Sequence, residues 1–178
     1  MLKLALHICC APCALWPVEV LQNQGVDLLG VFFNPNIHPA DEWERRRKEV
    51  LKLVRKTAIA IDINPRYMEE FWREELDLPM PERCAYCYRM RLMYTAITAK
   101  KHDCDAFSTT LLVSPWQNRE LILREADVVQ EFLQIPFIPY DFRPGYRRGQ
   151  ARAKQLNMYR QKYCACIHSL NERKEESV

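Results

Sequence analysis

The chain has 178 residues, of which 48% are hydrophobic and 28% are charged, with a net charge of +3. This length and balance predict one domain with a full hydrophobic core, and four glycines beside eleven prolines argue against a loop-rich secreted scaffold. The eight cysteines are clustered, whereas a disulfide framework would spread them along the chain. No apolar run reaches the ~18 residues that a bilayer span needs, so no membrane association is expected.

The amino terminus admits a second interpretation, because residues 1–8 resemble the start of a secretory signal. His7, Pro12 and Pro17 interrupt that segment, and no small-residue cleavage site follows. We therefore expect a reduced, cytoplasmic compartment. Clustered thiols there are metal ligands or redox groups more often than structural disulfides.

Hydrophobic patterning predicts strands that alternate with helices. Strands are expected at residues 2–8, 27–33, 58–63, 104–110 and 136–140. Helices are expected at residues 14–24, 40–56, 65–76, 84–101 and 118–133, with a basic and mostly helical tail at 144–170. The alternation predicts an α/β fold with a mostly parallel sheet and right-handed crossovers. We expect a single domain, 1–178, divided into an α/β core (1–140), a basic helical tail (141–170) and a frayed end (171–178).

Parallel sheets bind ligands beyond the carboxyl ends of their strands. Three segments follow predicted strands at that edge: the cysteine-rich turn after the first strand, residues 34–39 and residues 108–114. We expect them to line one crevice.

Seven of the eight thiols fall into three groups. In chain order these are Cys9, Cys10 and Cys13; Cys84 and Cys87; and Cys164 and Cys166. Cys84 and Cys87 form a C-x-x-C at a predicted helix start, so both sulfurs lie on one helical face. The positive end of the helix dipole favours thiolates there. Cys104 lies alone in a strand pattern and is expected to be a small buried hydrophobe.

Cys9 and Cys10, together with Cys84 and Cys87, would deliver four thiolates from two segments. Vicinal cysteines are awkward for the tetrahedral geometry of a structural zinc site. An iron–sulfur cubane is larger and accepts ligands at irregular spacing. The residues favour an iron–sulfur cluster and leave zinc as the alternative.

Other polar and aromatic residues near these turns have two interpretations each. His7 and His38 could be ligands or acids, although a lone histidine beside a strand is more often a satisfied core group. The turn at residues 34–39 could bind substrate or only be rigid. The four tryptophans are expected to pack and not to stack on bases.

The tail is basic, and no Asp or Glu occurs between Phe142 and Leu170. Its cationic residues are Arg143, Arg147, Arg148, Arg152, Lys154, Arg160 and Lys162. A charge run is usually a solvated helix face. The local excess nevertheless suits phosphate binding, and the modest overall charge suits a transient RNA substrate.

Six ordered blocks, which span about residues 4–170, resemble the QueH family of epoxyqueuosine reductases. They are His7-Ile8-Cys9-Cys10-Ala11-Pro12-Cys13, Asn34-Pro35-Asn36-Ile37-His38-Pro39, Arg83-Cys84-Ala85-Tyr86-Cys87-Tyr88-Arg89-Met90-Arg91-Leu92, Ser108-Thr109-Thr110-Leu111 with Ser114-Pro115, Asp141-Phe142-Arg143, and Tyr159-Arg160-Gln161-Lys162-Tyr163-Cys164-Ala165-Cys166. The departures are mild: Ala165 stands where glycine is expected, and Trp116 where histidine or another residue is common.

The resemblance implies a cobalamin-independent enzyme that performs the final step of queuosine synthesis on tRNA carrying epoxyqueuosine, with an electron donor of unknown identity. It implies a Rossmann-like fold similar to that of the adenine-nucleotide α-hydrolases. It also implies a 4Fe-4S cluster, and a redox-active disulfide pair. The cluster ligands carried over are Cys9, Cys10, Cys84 and Cys87, and the redox pair is Cys164 and Cys166.

Removal of an epoxide oxygen to leave an alkene needs two electrons and two protons, whereas a 4Fe-4S cluster ordinarily passes one electron at a time. A dithiol at Cys164 and Cys166 could supply two electrons as it becomes a disulfide. An iron with an open position could act as a Lewis acid toward the epoxide oxygen. Cys13 is a spare thiol that could hold a further metal, such as an additional iron, or could shuttle electrons. We therefore expect Cys13, Cys164 and Cys166 to be the catalytic residues.

Two other functions remain open. One is an iron–sulfur tRNA sulfur transferase on a similar fold, which would need a glycine-rich loop after the first strand; residues 9–13 contain no glycine. The other is a non-catalytic, zinc-stabilised RNA-binding module.

Overall fold

Strands and helices alternate along the chain, whose computed structural model describes residues 1–175. The strands are β1 (Lys3–His7), β2 (Asp27–Phe32), β3 (Ala60–Ile63) and β4 (Ala106–Thr109). The α-helices are α1 (Ala11–Asn23), α2 (Ala40–Thr57), α3 (Glu69–Glu74), α4 (Glu82–Lys101), α5 (Arg119–Leu133), α6 (Tyr146–Gln155) and α7 (Ile167–Glu175). Short 3-10 helices occupy Thr110–Val113 and Arg143–Gly145.

The strands form one parallel sheet in the order β3-β2-β1-β4. β1 lies inside the sheet and is almost wholly buried, with Leu4, Ala5 and Leu6 all 0% exposed. Such continuous apolar runs are expected where helices cover both faces of a parallel sheet. The predicted α/β class and the parallel sheet are confirmed.

The fifth strand predicted at residues 136–140 is wrong. The segment makes only an isolated parallel bridge between Phe107 and Phe137. The Phe107 amide donates to the Pro136 carbonyl, and the Ile138 amide donates to the Phe107 carbonyl, both at 2.9 Å. Pro136 and Pro139 have no N–H to donate, so the ladder cannot continue on either side of the bridge.

The basic tail is less helical than predicted. α6 ends at Gln155, and Asn157 follows with a φ of 49°, a left-handed conformation that asparagine tolerates. Residues 156–166, which include Cys164 and Cys166, contain no helix. The end that was expected to fray, 171–178, is helical as far as Glu175, and its last three residues lie outside the described part of the chain.

α6 is seated against α1 through two glycines. A Cβ atom at Gly145 would lie 1.9 Å from Nε1 of Trp16, and one at Gly149 would lie 3.4 Å from the Cβ of Trp16. The guanidinium carbon of Arg148 lies over the Trp16 ring, 4.8 Å from its centroid. Because of this close packing, the tail lies beside the first half of α1 and therefore near the carboxyl end of β1.

The main hydrophobic core surrounds β1, β2 and β4. A second, smaller cluster, formed by Trp72, Leu76, Cys87 and Ile167, packs the start of α7 against α3 and α4. No helix within residues 1–175 is long and apolar enough to cross a membrane.

Candidate metal centre and thiol crevice

The site lies at the topological switch point of the sheet. β2 and β3 extend from one side of β1 and β4 from the other, so the carboxyl ends of β1 and β4 flank the crevice where open parallel sheets bind ligands. Cys9 follows β1, and its amide donates to Oγ1 of Thr110 at 3.2 Å. The Thr110 hydroxyl also lies 3.5 Å from Sγ of Cys9. The end of β4 therefore fixes the position of the cysteine-rich turn.

Three thiols are gathered at the amino end of α1. The Sγ atoms of Cys9, Cys10 and Cys13 all lie within 4.8 Å of one another, and those of Cys9 and Cys10 are 3.9 Å apart. Cys10 is the N-cap of α1, and Pro12 is tolerated in the first turn because its missing N–H has no partner there. Residues three apart share a helical face, so starting the helix at Ala11 brings Cys13 beside Cys10.

The electrostatics of this three-thiol group favour one thiolate. Hydrogen bonds from Cys10 and then Cys13 lower the pKa of Cys9 well below its ordinary value. Hydrogen bonds to Cys10 and to Cys9, followed by burial, raise the pKa of Cys13. The amino end of α1 adds a partial positive charge that favours an anion at the same place. The group can hold negative charge that a bound cation would match.

Gln161 connects the tail to the three-thiol group. Its Nε2 atom lies 3.1 Å from Sγ of Cys10 and 3.7 Å from Sγ of Cys13. Gln161 belongs to the irregular segment 156–166, so no helical periodicity marked it as a site residue. Its motif position, three residues before Cys164, was the signal available in the sequence.

Cys84 and Cys87 lie in the first turns of α4, as predicted. Burial is the main cause that raises the pKa of both thiols, for Cys87 to about 12. Cys84 is half-buried and lines the same cavity as Cys9 and Cys13, while Cys87 packs against Trp72 in the smaller core cluster. Within residues 1–175, the compact group of potential ligands is thus Cys9, Cys10 and Cys13, with Cys84 across the same cavity.

Cys164 and Cys166 line the cavity from the tail, with Cys164 exposed and Cys166 half-buried. The segment is held mainly by its backbone. Nη1 of Arg46 donates to the Cys164 carbonyl at 3.0 Å, and the His38 amide donates to the Ala165 carbonyl at 2.9 Å. All eight cysteines are free thiols, so the described residues contain no disulfide.

His7 and His38 are satisfied core groups. The ring nitrogens of His7 lie 2.9 Å from Oγ1 of Thr109 and 3.2 Å from Oδ1 of Asn34. His38 donates from Nε2 to the Pro35 carbonyl at 3.0 Å and accepts from the Ile167 amide on Nδ1 at 3.1 Å. Burial lowers the pKa of each histidine to about 4, so both are neutral near pH 7. Both ring nitrogens of each of these two histidines are therefore already hydrogen-bonded, which leaves neither residue a free nitrogen for a metal.

Three buried arginines complete the crevice, and the sequence reasoning missed them as site residues. They are Arg46, Arg83 and Arg91, between 3% and 7% exposed. Nε of Arg91 donates to the Cys87 carbonyl at 3.1 Å, and Arg91 lines the cavity together with Cys164. Arg91 follows Cys87 by four residues, so it shares the thiol-bearing face of α4. That spacing was a signal in the sequence.

The cavity enclosed by these segments has a volume of about 520 Å³. Its wall includes thiols from all three cysteine groups: Cys9, Cys13, Cys84, Cys164 and Cys166. Cys104 is a buried core residue outside this wall, as expected. The arrangement brings soft metal ligands, free thiols and buried cations to one cavity large enough for part of a nucleotide.

The chain is thus an α/β protein with a parallel sheet and a thiol-lined crevice at the switch point of that sheet. Two solved structures share this fold. The U34-tRNA thiolase NcsA from Methanococcus maripaludis, solved with its [4Fe-4S] cluster, aligns with a TM-score of 0.63 at 16% identity. The alignment covers 96% of this chain but 63% of NcsA. A predicted subunit of a tRNA methyltransferase from Methanocaldococcus jannaschii aligns with a TM-score of 0.58 at 12% identity, over 86% of this chain and 75% of that one. The chain therefore shares the fold of these two proteins.

Sequence relatives identify the family. The family described as "Epoxyqueuosine reductase QueH" matches residues 4–172. Epoxyqueuosine reductase QueH of Dehalococcoides mccartyi is 32% identical over 171 residues, which cover 96% of this chain and 94% of that protein. The Thermotoga maritima protein of the same name is 34% identical over 180 residues, covering 96% and 92%. The chain belongs to the QueH family of epoxyqueuosine reductases.

Proposed function

We propose that this protein is a cobalamin-independent epoxyqueuosine reductase that converts epoxyqueuosine in tRNA to queuosine, the last step of queuosine synthesis. The observation that carries the proposal, beyond family membership, is the single cavity of about 520 Å³ whose wall contains thiols from all three cysteine groups. A reductive removal of oxygen needs an electron store and a substrate pocket in the same place. The thiols that line this cavity support such an arrangement.

The chemistry of the cysteine ligands supports an iron–sulfur cluster as the bound group. Cys9, Cys10, Cys84 and Cys87 would hold a 4Fe-4S cluster, because thiolates are the ligands that such clusters take and the two pairs start two different helices. Both helix amino ends favour a negatively charged group. When bound, the cluster supplies single electrons at low potential.

Cys13 has a separate place in the proposal. Its Sγ atom lies within 4.8 Å of both Cys9 and Cys10, so it is a candidate ligand for an additional iron or an alternative ligand of the main centre. If Cys13→Ala changes neither iron content nor turnover, this role is excluded.

Cys164 and Cys166 would act as the two-electron reductant. Oxidation of the dithiol to a disulfide releases two electrons and two protons. The epoxide takes up these two electrons and two protons. Its two C–O bonds break, a C=C bond forms between the two carbons, and the oxygen leaves as water. Exposure of Cys164 would let an external electron donor reduce the disulfide between turnovers.

Two buried arginines would help to position this dithiol. Arg46 donates to the carbonyls of Cys164 and Tyr163, which fixes the backbone of the pair. Nε of Arg91 donates to the Cys87 carbonyl at 3.1 Å, and Arg91 lines the same cavity as Cys164 and Cys166.

Positively charged side chains at the cavity support tRNA as the substrate. Arg160 and Lys162 are exposed and line the mouth of the cavity. They lie in the stretch between Phe142 and Leu170 that has no acidic residue. Cations in this arrangement bind phosphates in a salt-dependent manner.

The test is anaerobic purification, followed by iron, sulfide and zinc analysis and an assay on tRNA carrying epoxyqueuosine. We expect iron and sulfide in matching amounts and reductant-dependent conversion to queuosine. Cys104→Ser is the matched control, because this buried thiol is remote from the cavity wall and should leave iron content unchanged. An intact cluster with no conversion would contradict the proposal, and zinc without iron would favour an RNA-binding module.

The sulfur transferase alternative is weaker. NcsA shares the fold, but residues 8–14, which follow β1, contain no glycine that would let a backbone cradle approach a pyrophosphate. ATP consumption with tRNA thiolation, in place of epoxide loss, would support that alternative.

A further inference from the structure

Two large apolar side chains are exposed at the mouth of the thiol crevice. Trp116 is 82% exposed and Met80 is 63% exposed, and both line the cavity. Single exposed apolar side chains are common on protein surfaces. Two at the entrance of one functional cavity, contributed by different segments, indicate a ligand surface.

Trp116 departs from the packing role expected of the tryptophans. Trp72 and Trp43 are 1% and 9% exposed, and Trp16 is half-buried beneath α6. Phe132 is 73% exposed as well, but it lies on α5 and outside the cavity wall. Trp116 is therefore the tryptophan whose indole is free to receive a flat ligand at the crevice.

The loop that carries Trp116 is fixed by hydrogen bonds. The Trp116 amide donates to Oγ of Ser114 at 3.2 Å. The next residue, Gln117, accepts from the Tyr88 hydroxyl on Oε1 at 2.7 Å, and its Nε2 lies 3.6 Å from Sγ of Cys164. The main chain that carries the indole is thus fixed beside Cys164.

Cations share the entrance with the indole. Arg160 and Lys162 are exposed in the cavity wall, and their part of the chain has no acidic residue. An aromatic face combined with cations is how proteins bind single-stranded nucleic acid, with stacking on bases and contacts to phosphates.

We propose that Trp116 stacks on a nucleobase next to the modified nucleotide in a single-stranded loop of the substrate tRNA, while Arg160 and Lys162 contact its phosphates. The inference rests on the proposed function for the identity of the RNA. A base that reacts inside the cavity must leave its stack, and its neighbour then lacks a stacking partner. The Trp116 indole replaces that partner.

The test compares Trp116→Ala, Trp116→Phe and the control Phe132→Ala. Binding is measured with tRNA carrying epoxyqueuosine and with an unmodified transcript of the same tRNA. Trp116→Ala should weaken binding of both RNAs about tenfold or more, Trp116→Phe should retain most of the affinity, and Phe132→Ala should match the unsubstituted protein. RNA should quench tryptophan fluorescence in the unsubstituted protein, and this quenching should be largely lost in Trp116→Ala.

Kinetics separate this inference from the proposed function. Stacking predicts that Trp116→Ala raises KM for tRNA with little change in kcat. Unchanged binding and KM in a folded Trp116→Ala protein would overturn the stacking role and leave the reductase assignment intact. Loss of binding in Trp116→Ala, together with no conversion by the unsubstituted protein, would keep the stacking role and overturn the reductase assignment. An equal loss in Phe132→Ala would also overturn the stacking role.

Discussion

The same residue, cysteine, is used in two different ways at the two sides of the crevice. Cys10 and Cys13 are buried at the amino end of a regular helix, and their sulfurs are contacted by Gln161. Cys164 is exposed on an irregular segment that is held through its backbone carbonyls. The first environment fixes sulfur positions, which suits metal ligands. The second fixes the main chain through hydrogen bonds of about 3 Å, while its sulfurs have longer contacts: 3.6 Å from Gln117 Nε2 to Cys164 and 3.5 Å from the Ser169 amide to Cys166. Exposure together with long contacts to sulfur suits thiols that must form and break a bond.

The atoms that are held in place indicate which role a thiol has. A metal ligand needs its Sγ atom in position before the metal arrives, so contacts to sulfur are informative. A redox thiol needs access for its reductant and freedom to rotate, so contacts to the backbone are informative. Variants on the two sides of the crevice should therefore separate loss of iron from loss of repeated turnover.

The largest effect is expected on the ligand side. Cys9→Ser should abolish iron–sulfur binding and reduce turnover by more than about 100-fold, because even the outer contacts of a metal site commonly cost 10–100-fold. Iron and sulfide analysis with the visible spectrum measures the first effect, and conversion of epoxyqueuosine in tRNA measures the second. A Cys9→Ser protein with full iron and full activity would contradict the ligand assignment.

Cys164→Ser should keep the brown cluster and lose multiple turnover. The cluster ligands lie elsewhere, but the dithiol can no longer cycle through a disulfide. Iron content and the ratio of product to enzyme give the two readouts. If the variant loses its iron, Cys164 is a ligand and the contrast between the two sides fails.

The sequence predicted most of the fold because local signals agreed with the global arrangement. Continuous apolar runs specified β1, β2 and β4, and Gly25, with a φ of 74°, follows the end of α1 as expected. The strand predicted at residues 136–140 was wrong because the apolar pattern there resembles that of a strand, whereas its two prolines lack the N–H donors that a β-ladder needs.

The site was predictable in part for a similar reason. Motif spacing placed all three cysteine groups at one crevice, since parallel strands present their carboxyl ends at one edge. The proximity of Cys13 to Cys9 and Cys10 depended on the first residue of α1, and pattern reasoning started that helix three residues too late. The contacts of Arg46 with Cys164 and of Gln161 with Cys10 join residues more than 100 positions apart, which one sequence cannot reveal.

On the redox side, Arg46 should matter more for folding than for metal content. Its Nε atom donates to Glu42 at 2.7 Å, and both side chains are buried. Arg46→Met would leave the Glu42 carboxylate buried without this partner, and we expect a loss of about 3–5 kcal/mol in the free energy of unfolding. Urea unfolding measures the loss. The double variant Glu42→Gln with Arg46→Met is the control and should recover part of it, whereas a single-variant loss below about 1 kcal/mol would show that the pair contributes little.

The smallest effect is expected from pH at His38, which joins the turn after β2 to the redox segment. Its folded pKa of about 4 lies below the ordinary value, so as pH falls below about 6.5 the unfolded chain binds a proton that the folded chain does not. The contribution of His38 to the free energy of unfolding is therefore fully present above pH 6.5 and falls toward pH 4, by about 3 kcal/mol.

Unfolding free energies measured between pH 7 and 4 should fall less steeply in His38→Asn, whose Oδ1 can still accept from the Ile167 amide. His7 has a similarly lowered pKa in both proteins, so the difference between their slopes isolates His38. Equal slopes would mean that the pKa of His38 is not lowered in the folded protein.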